Sequence, residues 1–246
     1  TGIWILFYNR HLFYVHRRDF WLFIGSGMIG MTALSVFYNI SVTKGSLALS
    51  AVLLAMSPVF VLFLAAIFFH EPITRHKLTC VTLALIGCVL VSGVLESNGL
   101  SWSITGILCG ILASFFYAVY GIISKKVTQK GYHFLTITFY GTLFSGMTML
   151  PFSNIHSLSS MIVSGQRTTF FILIIHALVS SVLPYALYSL SMRYMEAGKA
   201  SILASSEPAA AMLFGAVLYA ETPGILSICG LCFTITAVIL LNYERN

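Results

Sequence analysis

Charge is what this sequence has least of. Of 246 residues, 13 are Lys or Arg and 7 are Asp or Glu, 8% together, where a water-soluble domain carries about 25%. So few charges do not coat a chain of this length in water. With 58% hydrophobic residues, the composition is that of an integral membrane protein. Alternating apolar and polar segments of about ten residues, the signature of a membrane β-barrel, are missing as well. Aspartate is reduced to one residue, Asp19, which excludes chemistry by a pair of aspartates. No G-x-x-x-x-G-K-[ST] loop is present, so this chain does not itself hydrolyse ATP. HEPITRH at 70–76 resembles a zinc-binding helix but fails as one. Its second His comes six positions on rather than four, and Pro72 disrupts the helix that would align them. The sequence therefore reads as that of a non-enzyme, and no metal or cofactor is expected.

Five cysteines, Cys80, Cys88, Cys109, Cys229 and Cys232, all fall within apolar runs, so a disulfide framework is not expected. Cys229 and Cys232 have the two-residue spacing of redox and zinc pairs. They lie within a span and lack a second pair, and they read as small helix-packing residues.

What the chain does have is long apolar runs. A transmembrane helix needs about 20 mainly apolar residues, and eight segments qualify: 20–43, 46–69, 77–95, 104–124, 132–151, 168–194, 198–220 and 224–242. TGIWILFY at the start reads as the tail of another. Suppose NRHLFYVHRRD (9–19) is cytoplasmic and the segments alternate. Arg10, Arg17, Arg18, Arg75, Lys77, Lys125, Lys126, Lys130, Arg193, Lys199 and Arg245 then lie inside, and Lys44 and Arg167 outside. This is the positive-inside bias, and it puts the C-terminus in the cytoplasm. The net charge of +6 is thereby a topology signal. It is not a nucleic-acid footprint, and nucleic acid is excluded as a partner.

The chain also repeats itself. At an offset of 150 residues, VFYNISV (36–42) falls on ALYSLSM (186–192), and LAAIFFHE (64–71) falls on FGAVLYAE (214–221). Tyr38 meets Tyr188, Ser41 meets Ser191, Pro58 meets Pro208 and Glu71 meets Glu221, with no gap. A fixed offset that matches Tyr, Pro and Glu marks an internal repeat. Segment 20–43 matches 168–194, five segments later. Five is odd, so the copies cross the membrane in opposite directions. That is an inverted-topology repeat, an architecture of secondary transporters whose binding site lies near the midplane. The expected fold is an all-α, multi-span helical bundle with inverted five-helix repeats. Residues 1–97 form a first repeat, incomplete at its N-terminus, and residues 104–243 a second. Eight full spans and a stub are visible of an expected ten, so the sequence reads as an N-terminally shortened piece of a ten-helix protein.

Pro58 with HEP at 70–72, and SEP at 206–208 with AET at 220–222, resemble the paired halves of the drug/metabolite transporter superfamily, and of its EamA-type permeases in particular. The resemblance covers almost the whole chain. It implies a secondary transporter in the cell membrane that exports or exchanges a small organic metabolite. The implied partners are a small-molecule substrate and the lipid bilayer, with a homodimer left open.

Glu207 is the one carboxylate deep within a span. A charge at the bilayer centre costs at least about 2.5–3.5 kcal/mol, so such residues face protein or a water-filled path. Pro208 beside it has no amide to donate and crowds the Ala204 carbonyl. Glu207 can bind a cationic group of the substrate or exchange a proton at a cavity wall. It can also be a hydrogen-bonded anchor between helices, the reading that its repeat counterpart, the smaller Ser57, favours. Segments 20–43, 46–69, 168–194 and 198–220 are expected to enclose the central cavity, with Pro58 and Pro208 as symmetric bend points. Ser35, Tyr38 and Asn39 form a polar patch on one helix. His176, Ser180, Pro184 and Tyr188 follow at steps of four on its repeat mate, with Tyr185 alongside. These suit either a pocket with a few polar groups or interhelical hydrogen bonding. A channel is disfavoured, since no ring-type selectivity filter is visible. A non-transporting membrane scaffold is the alternative reading.

Overall fold

The computed structural model describes residues 14–95, 103–152, 167–219 and 223–243. The stub at residues 1–8 and Glu221 lie outside the described residues. Within them all regular structure is helical and there is no strand. Helix α1, Phe20–Lys44, contains a π-helical stretch over Gly25–Ala33. Next come α2 (Leu47–Leu54), α3 (Ser57–Phe69), α4 (Arg75–Val91), α5 (Ile104–Gln129) and α6 (Phe134–Met149). Helix α7 joins Arg167–Ala177 to Leu183–Tyr194 through a π-helical turn at Leu178–Val182. Then follow α8 (Ala197–Ala204), α9 (Glu207–Tyr219) and α10 (Ile225–Asn242).

Six columns are long and apolar enough to cross a membrane: Phe20–Lys44, Leu47–Phe69, Ile104–Gln129, Phe171–Tyr194, Ala197–Leu218 and Ile225–Asn242. Helices α4 and α6, with 17 and 16 residues, are shorter than these. Large apolar side chains such as Phe63, Ile67, Phe68, Phe171 and Ile172 stand exposed along the columns. A water-soluble chain rarely exposes so much contiguous apolar surface. In a bilayer these side chains face lipid.

Local sequence explains where the helices begin and end. Ser46 accepts the Leu49 amide at 3.1 Å and caps α2, and Thr74 accepts the Lys77 amide at 3.2 Å and caps α4. His70 ends α3 in the left-handed region, with φ 56°, and Pro72 follows. Pro58 lies in the first turn of α3, where its missing amide has no helical partner to lose. Pro208 stands at the same place in α9.

The chain divides into two compact units, with boundaries inside α1 and α5. One comprises Thr1–Thr32 and Ile123–Tyr194, the other Ala33–Ile122 and Met195–Asn246. The first unit is built on Phe23, Val127 and Ile137. There α1 and α6 meet closely: a Cβ on Gly27 would stand 2.6 Å from the Gly141 carbonyl. Thr32 donates to Ser145 at 3.1 Å across the same contact. Outside the apolar segments, Asp19 pairs with Lys130 and accepts the Tyr132 hydroxyl at 2.9 Å. Lys125 donates to the Met192 carbonyl at 2.9 Å.

The second unit holds the core cluster Leu62, Cys80, Val81, Ile202 and Leu241. Its closest pair is α4 with α10. A Cβ on Gly87 would lie 2.8 Å from the Gly230 carbonyl, and one on Gly230 would lie 2.7 Å from the Gly87 carbonyl. Small residues let backbones approach where lipid offers no competing hydrophobic drive. Gly110 of α5 does the same against Leu53 of α2. The Cys229–Cys232 pair carries free thiols on the exposed side of α10. Among the described residues no group of His, Cys, Asp and Glu is placed to hold a metal.

Candidate functional site

Two interrupted columns organise the second unit. α2 gives way to α3 at Ala55–Met56, and α8 gives way to α9 at Ser205–Ser206. In each the proline two or three residues on removes a backbone donor. Pro58 cannot bond the Leu54 carbonyl, and Pro208 cannot bond the Ala204 carbonyl. Irregular backbone at membrane depth persists where protein or a cavity satisfies it. Here a cavity of about 810 Å³ lies against both breaks. Leu54, Ala55 and Ser57 line it from one column. Ala204, Ser205 and Glu207 line it from the other. These are the same three positions of the 150-residue repeat.

From the breaks the cavity extends to one end of the unit, where Leu47 and Ala48 open α2, Val91 and Ser92 close α4, and Pro223 and Gly224 precede α10. Tyr38 of α1 and Tyr117 of α5 add two aromatic rings to the wall. The remaining walls are small or apolar, with Ala51, Ala211 and Met212 among them.

Glu207 brings the one charged side chain to this lining. Its carboxylate accepts no hydrogen bond and joins no ion pair among the described residues, and its side chain is exposed to the cavity. An anchor between helices would have a partner. Ser57, the repeat counterpart, is 4% exposed, and its hydroxyl has no hydrogen-bond partner among the described residues. Ser205 differs, being turned back onto the Ser201 carbonyl at 3.2 Å.

The other residues singled out in the sequence fall elsewhere. Ser35 and Asn39 share an exposed stretch of α1, where the Asn39 amide donates to the Ser35 carbonyl at 2.7 Å. Neither lines the cavity. His176, Tyr185 and Tyr188 belong to α7 in the first unit. His176 is exposed there, Tyr185 is half-buried and Tyr188 is buried. The lining of the cavity comes from the second unit alone, so these three take no part in it. Sequence reasoning passed over Tyr117, Ser92 and Ser205. Ser205 was the most accessible of them, because it precedes the proline of a repeated break.

A polytopic helical membrane protein with broken helices against a cavity has the architecture of a membrane transporter. The chain belongs to the EamA-like transporter family, whose family model matches residues 1–93 and 104–243. It is thus a transporter and not an enzyme. An uncharacterized transporter of Archaeoglobus fulgidus is 24% identical over 221 residues, 89% of this chain and 76% of that protein. The uncharacterized transporter YdfC of Bacillus subtilis is 22% identical over 225 residues, 88% of this chain and 71% of YdfC. A probable amino-acid metabolite efflux pump of Salmonella typhimurium is 26% identical over 187 residues, 71% of this chain and 60% of the pump. One solved crystal structure shares the fold with a TM-score of 0.72 at 13% identity, covering 94% of this chain and 80% of its own.

Proposed function

We propose that this protein carries a small organic solute across the cell membrane by alternating access, as an exporter or exchanger, with the cavity of the second unit as its solute site. The observation that carries this reading is the meeting of two repeat-related helix breaks at one cavity whose wall holds a single unpartnered carboxylate, Glu207. Secondary transporters place their sites at such breaks near the midplane. The volume lies within the range of small-molecule sites, about 300–1,000 Å³. In this reading residues 1–97 and 104–243 are inverted repeats, α4 and α6 also cross the bilayer, and the C-terminus is cytoplasmic. The cavity then lies toward the outer face, since its lining includes Val91 and Ser92, at the end of α4 opposite Arg75 and Lys77. Tyr38 lines the solute site with Glu207, while Tyr185 and Tyr188 serve packing in the first unit and His176 stands exposed there.

The test is counterflow in proteoliposomes with a panel of amines, amino acids and nucleosides. At least one solute shows saturable uptake that is accelerated by the same solute inside. Panel members that bind the purified protein without any counterflow would overturn the reading in favour of a membrane scaffold.

A further inference from the structure

We infer that the cavity of the second unit selects organic cations, seating one ammonium group between the Glu207 carboxylate and the carbonyls of Leu54 and Ala204. This names the substrate class of the site proposed above and rests on that reading for its physiological meaning. Three features converge on it. Glu207 contributes the one formal charge of the described lining, and no Lys, Arg or His stands there to neutralise it. Pro58 and Pro208 have no amide to offer the Leu54 and Ala204 carbonyls, and both of those residues line the cavity, one from each interrupted column. The rings of Tyr38 and Tyr117 supply faces for a cation or for an aromatic body.

The same lining disfavours anions. A carboxylate or phosphate entering would meet Glu207 with no basic side chain to answer it. In a partly desolvated site, like charges repel several-fold more strongly than in water. A neutral solute can donate a hydrogen bond to the carboxylate but gains no ion pair from it. The small side chains of Ala51, Ala55 and Ala211 leave room for an organic body beyond the ammonium.

The experiment uses three probes with a shared phenethyl body on the purified chain in detergent at neutral pH: 2-phenylethylamine, 2-phenylethanol and 3-phenylpropionate. Equilibrium binding and the thermal unfolding midpoint are read for wild type, Glu207→Gln and Glu207→Asp. The amine is expected to bind and stabilise wild type. It should bind at least tenfold more weakly to Glu207→Gln and keep its advantage over the alcohol and the acid in Glu207→Asp. Ala211→Lys places a tethered ammonium one turn along α9 from Glu207 and is expected to abolish amine binding. It decides the question even where Glu207→Gln does not fold. Equal binding of the alcohol or the acid, amine binding unchanged in both Glu207→Gln and Ala211→Lys, or no amine binding at all would overturn the inference. A midpoint shift specific to sodium over potassium that competes with the amine assigns the carboxylate to an inorganic ion, and overturns it too. Amine binding without counterflow would sink the transport reading and leave the cation site standing.

Discussion

The carboxylate of Glu71, two residues past the end of α3, accepts the backbone amides of Ala197 and Gly198 at 3.1 and 3.3 Å, and so holds the start of α8. These amides are among the unpaired donors of a helix N-terminus, where a negative charge is favoured by both hydrogen bonding and the helix dipole. The contact joins the segment after α3 to the start of α8 within the second unit. Replacing Glu71 by Ala is expected to cost about 1–2 kcal/mol, the range of a lost N-terminal cap. Thermal unfolding in detergent measures it. In the alternating-access reading the same variant increases labelling of a cysteine placed at Ala204 from the Lys77 side of the membrane. Unchanged labelling would mean that the contact is not a gate.

Lys77 lies beside this clamp, with its side chain 2% exposed. It pairs with Glu196 at 2.5 Å and donates to the Pro72 carbonyl at 3.0 Å. The Glu196 side chain is 41% exposed, so the pair is lopsided. Glu196→Gln strands a buried ammonium on one carbonyl and is expected to lose about 2–3 kcal/mol. Lys77→Met leaves a carboxylate that can turn to water and should cost about 1 kcal/mol or less. Denaturation midpoints that rank the two variants in the opposite order would contradict this account.

The α4–α10 crossing tolerates no side chain. Gly87→Val or Gly230→Val drives a Cβ to within 3 Å of a backbone carbonyl. Backbone cannot move aside as the end of a side chain can, so each substitution should destabilise by about 1–3 kcal/mol or more. A folded yield and a melting midpoint equal to wild type would show that the helices can separate freely.

Two titratable groups of the first unit contribute to the response to pH. His133 caps α6 through Nδ1, which accepts the Leu135 amide at 3.3 Å. Burial, with the Arg193 charge second, holds its pKa below the ordinary 6.5. A depressed folded pKa means that the unfolded chain takes up the proton first. Stability is therefore full above 6.5 and falls as pH drops through the folded value. His133→Asn keeps a capping side chain and should flatten that slope in melting curves between pH 7 and 5.

Asp19 follows the same sign at lower pH. The hydrogen bond from Lys130, then that from Tyr132, lowers its pKa from 3.8. Its contribution is present above 3.8 and disappears as pH falls through the lowered value. Asp19→Asn should leave melting below that window unchanged relative to wild type, and lower it at neutral pH.

Much of this was legible in the chain. Apolar runs reveal membrane helices because no water is available in lipid to satisfy any other backbone arrangement. The match of Pro58 with Pro208 located both helix breaks, since a missing amide acts wherever it stands in sequence. Glu207 was visible because a charge is conspicuous in an apolar run. Whether it was an anchor or a wall of a cavity was not legible, because a hydrogen-bond partner can come from any column.

The sequence by itself determined that the chain is built of apolar helices and where proline stands beside their breaks, both consequences of local chemistry and spacing. Tertiary structure alone decided which polar residues share a space. Tyr38 and Tyr117 reach the wall with Glu207, while Tyr185 and Tyr188 belong to the other unit. Tyr38 and Tyr188 are repeat mates with the same side chain, so no local rule separates them. The packing of their helices does.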